Sequence, residues 1–223
     1  MSKTILLVHG LAGNSAAMGF LAASLRLQGY KTVSLDYPST KHTIEECTHL
    51  YLKPAIEALA FEESLNIVTH SVSGVMLRYY LAHHKVHNLE RVVMLAPGHG
   101  GSKTLAVLRR HPLFPMLMGP AGIQSGDDAR QFDPKLGPYT GPDLGIVAGC
   151  IALDPIGWAV MPWPNDGKLT VNSTHLEGMK DHIVLPVSHD SILIDPLAIF
   201  QTSHFLKHGT FKSLIAERQN KAA

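Results

Sequence analysis

The chain has 223 residues, of which 45% are hydrophobic and 17% charged, and its formal net charge is +1. This balance predicts a single domain spanning 1–223 with a core of its own, and excludes the weakly hydrophobic, highly charged regime of disordered chains. A charge near zero without blocks of one sign offers no electrostatic footprint for nucleic acid or an anionic membrane surface, and two cysteines, Cys47 and Cys150, without C-x-x-C spacing predict free thiols.

Met1–Thr4 runs directly into Ile5-Leu6-Leu7-Val8, an apolar run too short for a signal-peptide core, and no later run is long enough to span a bilayer. The expectation is a cytoplasmic protein without a membrane span. Ile5–Val8 itself reads as a strand buried on both faces, ending in the glycine-rich loop His9-Gly10-Leu11-Ala12-Gly13, a candidate site edge. Apolar spacing at Met18, Leu21 and Leu25 predicts a helix over 15–28, stopped by Gly29. A second strand follows from Tyr30 to Tyr37, with Asp36 near its end read as structural. Thr43-Ile44-Glu45-Glu46 forms a capping box for a helix running toward Leu59, in which Pro54 predicts a kink or two shorter helices.

The next stretch organises the chain. An apolar strand, Leu65–Val68, breaks at His70-Ser71, and helical periodicity resumes through Val72, Val75, Met76 and Tyr79. A serine at such a turn stands above the carboxyl edge of a parallel sheet, against the unpaired N–H groups and partial positive charge of a helix start. Beyond it, His83-His84-Lys85-Val86-His87 has no carboxylate or thiolate at ligand spacing and closes a helix, so no metal site is predicted. Arg91–Pro97 is another buried strand. Strands alternating with helices specify a mostly parallel, doubly wound α/β sheet with helices on both faces and a site at the strands' carboxyl ends.

From 98 to 143 the composition shifts toward Gly and Pro, with one short amphipathic helix near Lys103–Arg110. An irregular segment this long predicts a cap or substrate loop. Its apolar patch Leu113-Phe114-Pro115-Met116-Leu117-Met118 is expected to line an acyl or alcohol pocket through Leu113, Phe114 and Met116. Leu144–Ala152 resumes the strand pattern. A Pro-rich stretch then carries Trp158 and Trp163, read as pocket wall or core, to the turn Asn165-Asp166-Gly167. The last strand, Ile183–Val187, ends in Ser188-His189-Asp190-Ser191, ahead of a helix over 196–206.

Together these features resemble the α/β-hydrolase superfamily, and within it the small lipase- and esterase-like serine hydrolases. The family's G-x-S-x-G elbow stands here as Thr69-His70-Ser71-Val72-Ser73, with Thr and Ser in place of the two glycines. The resemblance implies that His9-Gly10 shapes an oxyanion hole whose donors are the N–H groups of Leu11 and Val72. It also implies that Asp166 is the acid and His189 the base, that His70 shapes the pocket, and that no cofactor is needed.

A serine hydroxyl attacks a carbonyl only when a base takes its proton. An imidazole can do so and return the proton to the leaving group, and a carboxylate fixes the imidazole's tautomer. The order Ser71, Asp166, His189 is the α/β-hydrolase order. Asp154 or Asp181 as the acid, His182 as the base and Ser73 as the nucleophile remain open. The expected function is hydrolysis of small-molecule carboxylic esters through an acyl-Ser71 intermediate. The alternatives are thioesterase, amidase or lyase chemistry on the same residues, or a ligand-binding homologue silenced by its altered elbow.

Overall fold

The computed structural model describes residues 3–131, 133 and 136–213. Six strands, β1 (Thr4–Val8), β2 (Lys31–Leu35), β3 (Leu65–His70), β4 (Leu89–Leu95), β5 (Asp143–Gly149) and β6 (Asp181–Leu185), pair in the order β2-β1-β3-β4-β5-β6. Every pairing is parallel. All carboxyl ends therefore lie on one edge.

β1 and β3 are wholly buried, the latter including Asn66, Thr69 and His70, because both faces of the sheet are covered. Alternate side chains divide between two cores. Leu6, Val8, Ile67 and Met94 face the helices Ile44–Ala58 and Val72–His83, whereas Ile5, Leu7, Val68 and Val93 face Gly19–Leu27 and Pro196–His208. Each fully buried Leu or Ile contributes about 1.5–3 kcal/mol of transfer free energy, so the central strands anchor the sheet. The edge strands β2 and β6 stay partly exposed.

The Thr43 capping box forms, with Thr43 Oγ1 accepting from Glu46 N–H and the Glu46 carboxylate accepting from Thr43 N–H. The stretch is divided into two short α-helices, Ile44–Cys47 and Lys53–Ala58, with Pro54 in the first turn of the second. A π turn over Thr48–Leu52 shifts the ladder so that Lys53 N–H donates to Thr48 O, five residues back, and the widened turn admits the ring that a regular ladder would clash with. The segment 98–143 is also more ordered than its composition suggests, with helices Lys103–Leu108 and Phe114–Gln124. Among the described residues no helix is long and apolar enough to cross a membrane. Cys47 and Cys150 are free thiols, Cys47 buried and Cys150 half-buried.

Candidate active site

Ser71 ends β3 and starts the helix Val72–His83 with φ 59° and ψ −126°. Positive φ is unusual for a residue with a side chain, and here surrounding bonds hold it. Ser71 N–H donates to Leu95 O at 2.9 Å. Ser73 is fully buried, and its Oγ accepts from His70 N–H at 3.0 Å while lying within donating distance of Val8 O (2.9 Å) and His70 O (2.8 Å). The serine at the second glycine position thus ties the elbow to the end of β1, and its hydroxyl is committed to the backbone. Thr69 Oγ1 is buried without a partner among the described residues. Close approach of the strand and helix is provided one residue later. A Cβ on Gly74 would lie 2.9 Å from Pro97 Cβ.

His189 follows β6, and its Nε2 lies 2.9 Å from Ser71 Oγ. Its Nδ1 lies 2.8 Å from Asp166 Oδ2. Both residues are buried, and His189 N–H also donates to Asp166 O at 2.9 Å, which fixes the two loops to each other. Asp166 Oδ1 accepts from the N–H groups of Lys168 (2.9 Å) and Leu169 (2.7 Å). Burial alone pushes the Asp166 carboxyl up, but the facing imidazole and these two N–H groups outweigh it and hold the carboxyl below its ordinary value. The alternatives are occupied elsewhere. Asp154 caps the helix Pro155–Val160, Asp181 accepts from His182 and Phe211 N–H groups, and His182 pairs with Thr174 at the amino end of β6.

The loop after β1 passes close to the serine, where a Cβ on Gly10 would sit 2.9 Å from Ser71 Cβ. Among the described residues the Leu11 and Val72 N–H groups have no hydrogen-bond acceptor. The arrangement therefore brings a serine hydroxyl, a histidine bonded on both ring nitrogens, a carboxylate and two free N–H donors together at the carboxyl edge of the sheet.

A cavity of about 130 Å³ opens beside Ser71, with apolar walls that include Leu11, Ile44, Val72, Val75, Leu105 and Met118. Its polar wall includes Ser102, Gln124, Ser125, Asp127, Lys168 and Asp190. Of the residues expected from sequence to bind substrate, His70 is there, as are Leu11 and Val72, expected as oxyanion donors. His9, Gly10, Leu113, Phe114, Met116, Trp158 and Trp163 are not. His9 is buried, stacks on Tyr37 at 4.3 Å and places Nδ1 2.8 Å from Gly10 O, so it shapes the loop from behind; burial lowers its pKa. Phe114 is buried in packing, while Leu113 and Met116 project outward. Trp158 and Trp163, 74% and 67% exposed, are neither wall nor core.

His70 is buried, and its Nε2 lies 2.9 Å from His189 O. Burial, then the neighbouring His189, lowers its pKa to about 3, so the ring is neutral and Nε2–H is the donor. His70, His189 and Asp190 bring three potential metal-ligand atoms within 4.8 Å of one another. Both nitrogens of His189 are already engaged, and Asp190 grips Lys168 Nζ through both oxygens at 2.9 Å. Sequence reasoning missed the polar wall and Met118. Lys168 and Asp190 were within reach of it, being two residues past Asp166 and one past His189.

No protein-family model matches the sequence, and no curated protein matches it significantly. Solved structures do resemble it. Bacillus licheniformis lipase BlEst2 in its mature form superposes with a TM-score of 0.75 at 21% identity, covering 94% of this chain and 93% of that one. The propeptide form of that lipase gives 0.77 at 21% identity, covering 95% of this chain but 51% of the longer one. A carboxylesterase structure from the thaumarchaeon Nitrososphaera gargenis gives 0.63 at 14% identity, with 93% and 91% covered. At these identities the likeness is one of architecture, and together with the six-stranded parallel sheet it establishes that this chain has the α/β-hydrolase fold of lipases and esterases.

Proposed function

We propose that the protein is a serine hydrolase of carboxylic esters. The observation that carries this reading is the continuous hydrogen-bonded line from Ser71 Oγ through His189 to Asp166, on a serine held at positive φ. Ser71 Oγ attacks the ester carbonyl while His189 Nε2 takes its proton. Asp166 keeps Nδ1 protonated and stabilises the imidazolium, and the N–H groups of Leu11 and Val72 receive the oxyanion. His189 then protonates the departing alkoxide, leaving an acyl-Ser71 ester. In the second half His189 activates water, which releases the acid and restores the serine. No cofactor enters this sequence.

We read residues 1–223 as one domain with 98–143 as a short cap over the site. Two hydrogen bonds support that reading by fastening the cap to the acid's loop: Ser102 Oγ donates to Lys168 O and Thr104 Oγ1 to Gly167 O.

A non-catalytic reading rests on Thr69 and Ser73 in the elbow. Against it, Ser73 bonds the elbow in place without displacing Ser71. A fluorophosphonate probe separates the two readings. Labelling of the intact protein that disappears in Ser71→Ala supports the hydrolase. An intact protein that stays unlabelled, and hydrolyses p-nitrophenyl acetate no faster than Ser71→Ala does, rejects it.

A further inference from the structure

Resting on the ester-hydrolase reading, we propose that the site is selective for short, uncharged acyl groups and that Met118 sets the length limit. Three observations lead there.

First, the cavity is small. Its volume of about 130 Å³ is close to that of an engineered apolar cavity of roughly 150 Å³ that holds one benzene. An acyl group of a few carbons fills such a space, and a long chain has to leave it.

Second, the polar wall has little left to offer a substrate. Ser102 Oγ bonds Lys168 O and Leu105 N–H, Gln124 bonds Ile44 N–H and Glu45, and Ser125 Oγ bonds Ala121 O. Asp127 is paired with Arg109 and Lys168 with Asp190. Beyond Ser71, His189 and the two oxyanion donors, recognition therefore rests on apolar fit. A carboxylate at the far end of an acyl chain would meet Asp127 and find no uncommitted cation on the wall. It would be desolvated without a partner.

Third, the limit has a definite residue. The leaving alkoxide must depart beside His189 Nε2, on the side of Lys168 and Asp190. The acyl chain therefore runs the other way, past Val72 and Val75, which share one face of the helix at i, i+3, toward Met118. Met118 is the only member of the apolar run 113–118 that reaches the cavity wall. It shares the inward face of its helix with the buried Phe114, four residues earlier, and the helix breaks directly after it, at Gly119 with φ 63° and ψ −171°. That glycine is wedged against Thr40, where any Cβ would overlap the carbonyl, and Ala121 N–H donates to His42 O at 3.1 Å. The backbone beside Met118 is thus pinned to the opposite loop, and the side chain cannot retreat with it.

The test uses the full chain with p-nitrophenyl acetate, butyrate, octanoate and decanoate, and compares methyl butyrate with monomethyl succinate by proton release at constant pH. The expected kcat/KM peaks at or below butyrate and falls at least tenfold by octanoate, with monomethyl succinate at least a hundredfold below methyl butyrate. Met118→Ala is expected to raise the octanoate-to-butyrate ratio about tenfold or more, and Met118→Phe to lower it. Either variant suffices if the other does not fold. A peak at octanoate or beyond, equal rates on the succinate and butyrate esters, or an unchanged length profile in the folded variants overturns the proposal. Each of those outcomes requires Ser71-dependent turnover and leaves the hydrolase reading standing. Turnover no faster than that of Ser71→Ala on every ester defeats both.

Discussion

His70 Nε2 lies 2.9 Å from the carbonyl oxygen of His189, so the residue beside Ser71 holds the loop that carries His189. The same ring backs onto Gly10, where a Cβ would come within 2.9 Å of its Nδ1. Three loops that are far apart in sequence therefore converge on one neutral imidazole.

Removing that imidazole should loosen the base without removing it. His70→Ala is expected to lower kcat on p-nitrophenyl butyrate about tenfold to thirtyfold with little change in KM, the effect of one buried hydrogen bond of roughly 1–2 kcal/mol. His70→Gln retains an N–H donor and should recover part of the loss. Steady-state kinetics of the three proteins decides it, and an effect confined to KM would count against a positioning role.

Asp166→Asn keeps the shape of the acid but can donate to His189 Nδ1 and so favour the wrong tautomer. The expected fall in kcat is about 10⁴-fold, with labelling by fluorophosphonate slowed in parallel. The wild-type carboxyl is held below its ordinary value, so its contribution to stability is complete above the unfolded carboxyl range. That contribution is lost only as the pH falls through the lowered folded value. Urea melts of both proteins should therefore differ at pH 5 and converge in stronger acid.

Two elbow substitutions should act in opposite directions. Ser73→Ala strands Val8 O and His70 N–H and is expected to destabilise by about 1–3 kcal/mol. Thr69→Val removes a buried hydroxyl that has no partner among the described residues and should be neutral or stabilising. Denaturant midpoints at a common slope would show the contrast.

His99 is 3% exposed, and neither ring nitrogen has a partner among the described residues. Burial, then the nearby Arg78, lowers its pKa to about 3. The unfolded chain takes up this proton below about pH 6.5 and the folded one does not. Stability is thus fully present above 6.5 and declines toward pH 3, by up to roughly 1.4 kcal/mol per pH unit for this group. His99→Phe should flatten the loss between pH 7 and 5, which denaturant titrations at the two pH values would measure.

The fold was legible because its strongest signals are local. Ile5–Val8 is a continuous apolar run and Leu65–Val68 one interrupted only by Asn66, and the structure buries both faces of each. The break at His70-Ser71 marks a strand that turns into a helix. The pocket wall was much less legible because it depends on where the cap helices point. Leu113, Met116 and Met118 are all apolar, yet only Met118 shares the inward helix face of the buried Phe114 and reaches the cavity. Trp158 and Trp163 look like core or wall in sequence and stand in solvent, since nothing local encodes the face a short helix presents. The glycines absent from the elbow have a counterpart elsewhere that the sequence did not reveal. The close approach they usually allow has moved to Gly74, visible only once Pro97 packs against it.

The strand order bears on how the molecule is made. Ser71 follows β3 at the centre of the sheet, but His189 follows β6, which is an edge strand and the last among the described residues. A nascent polypeptide emerging amino end first can bury β1, β3 and β4 while its serine still has no base. Only when β6 docks on β5 does His189 reach Ser71. On the proposed mechanism, reactivity toward a serine-directed probe would be a late event in folding, and a chain arrested before that step would be compact yet chemically silent.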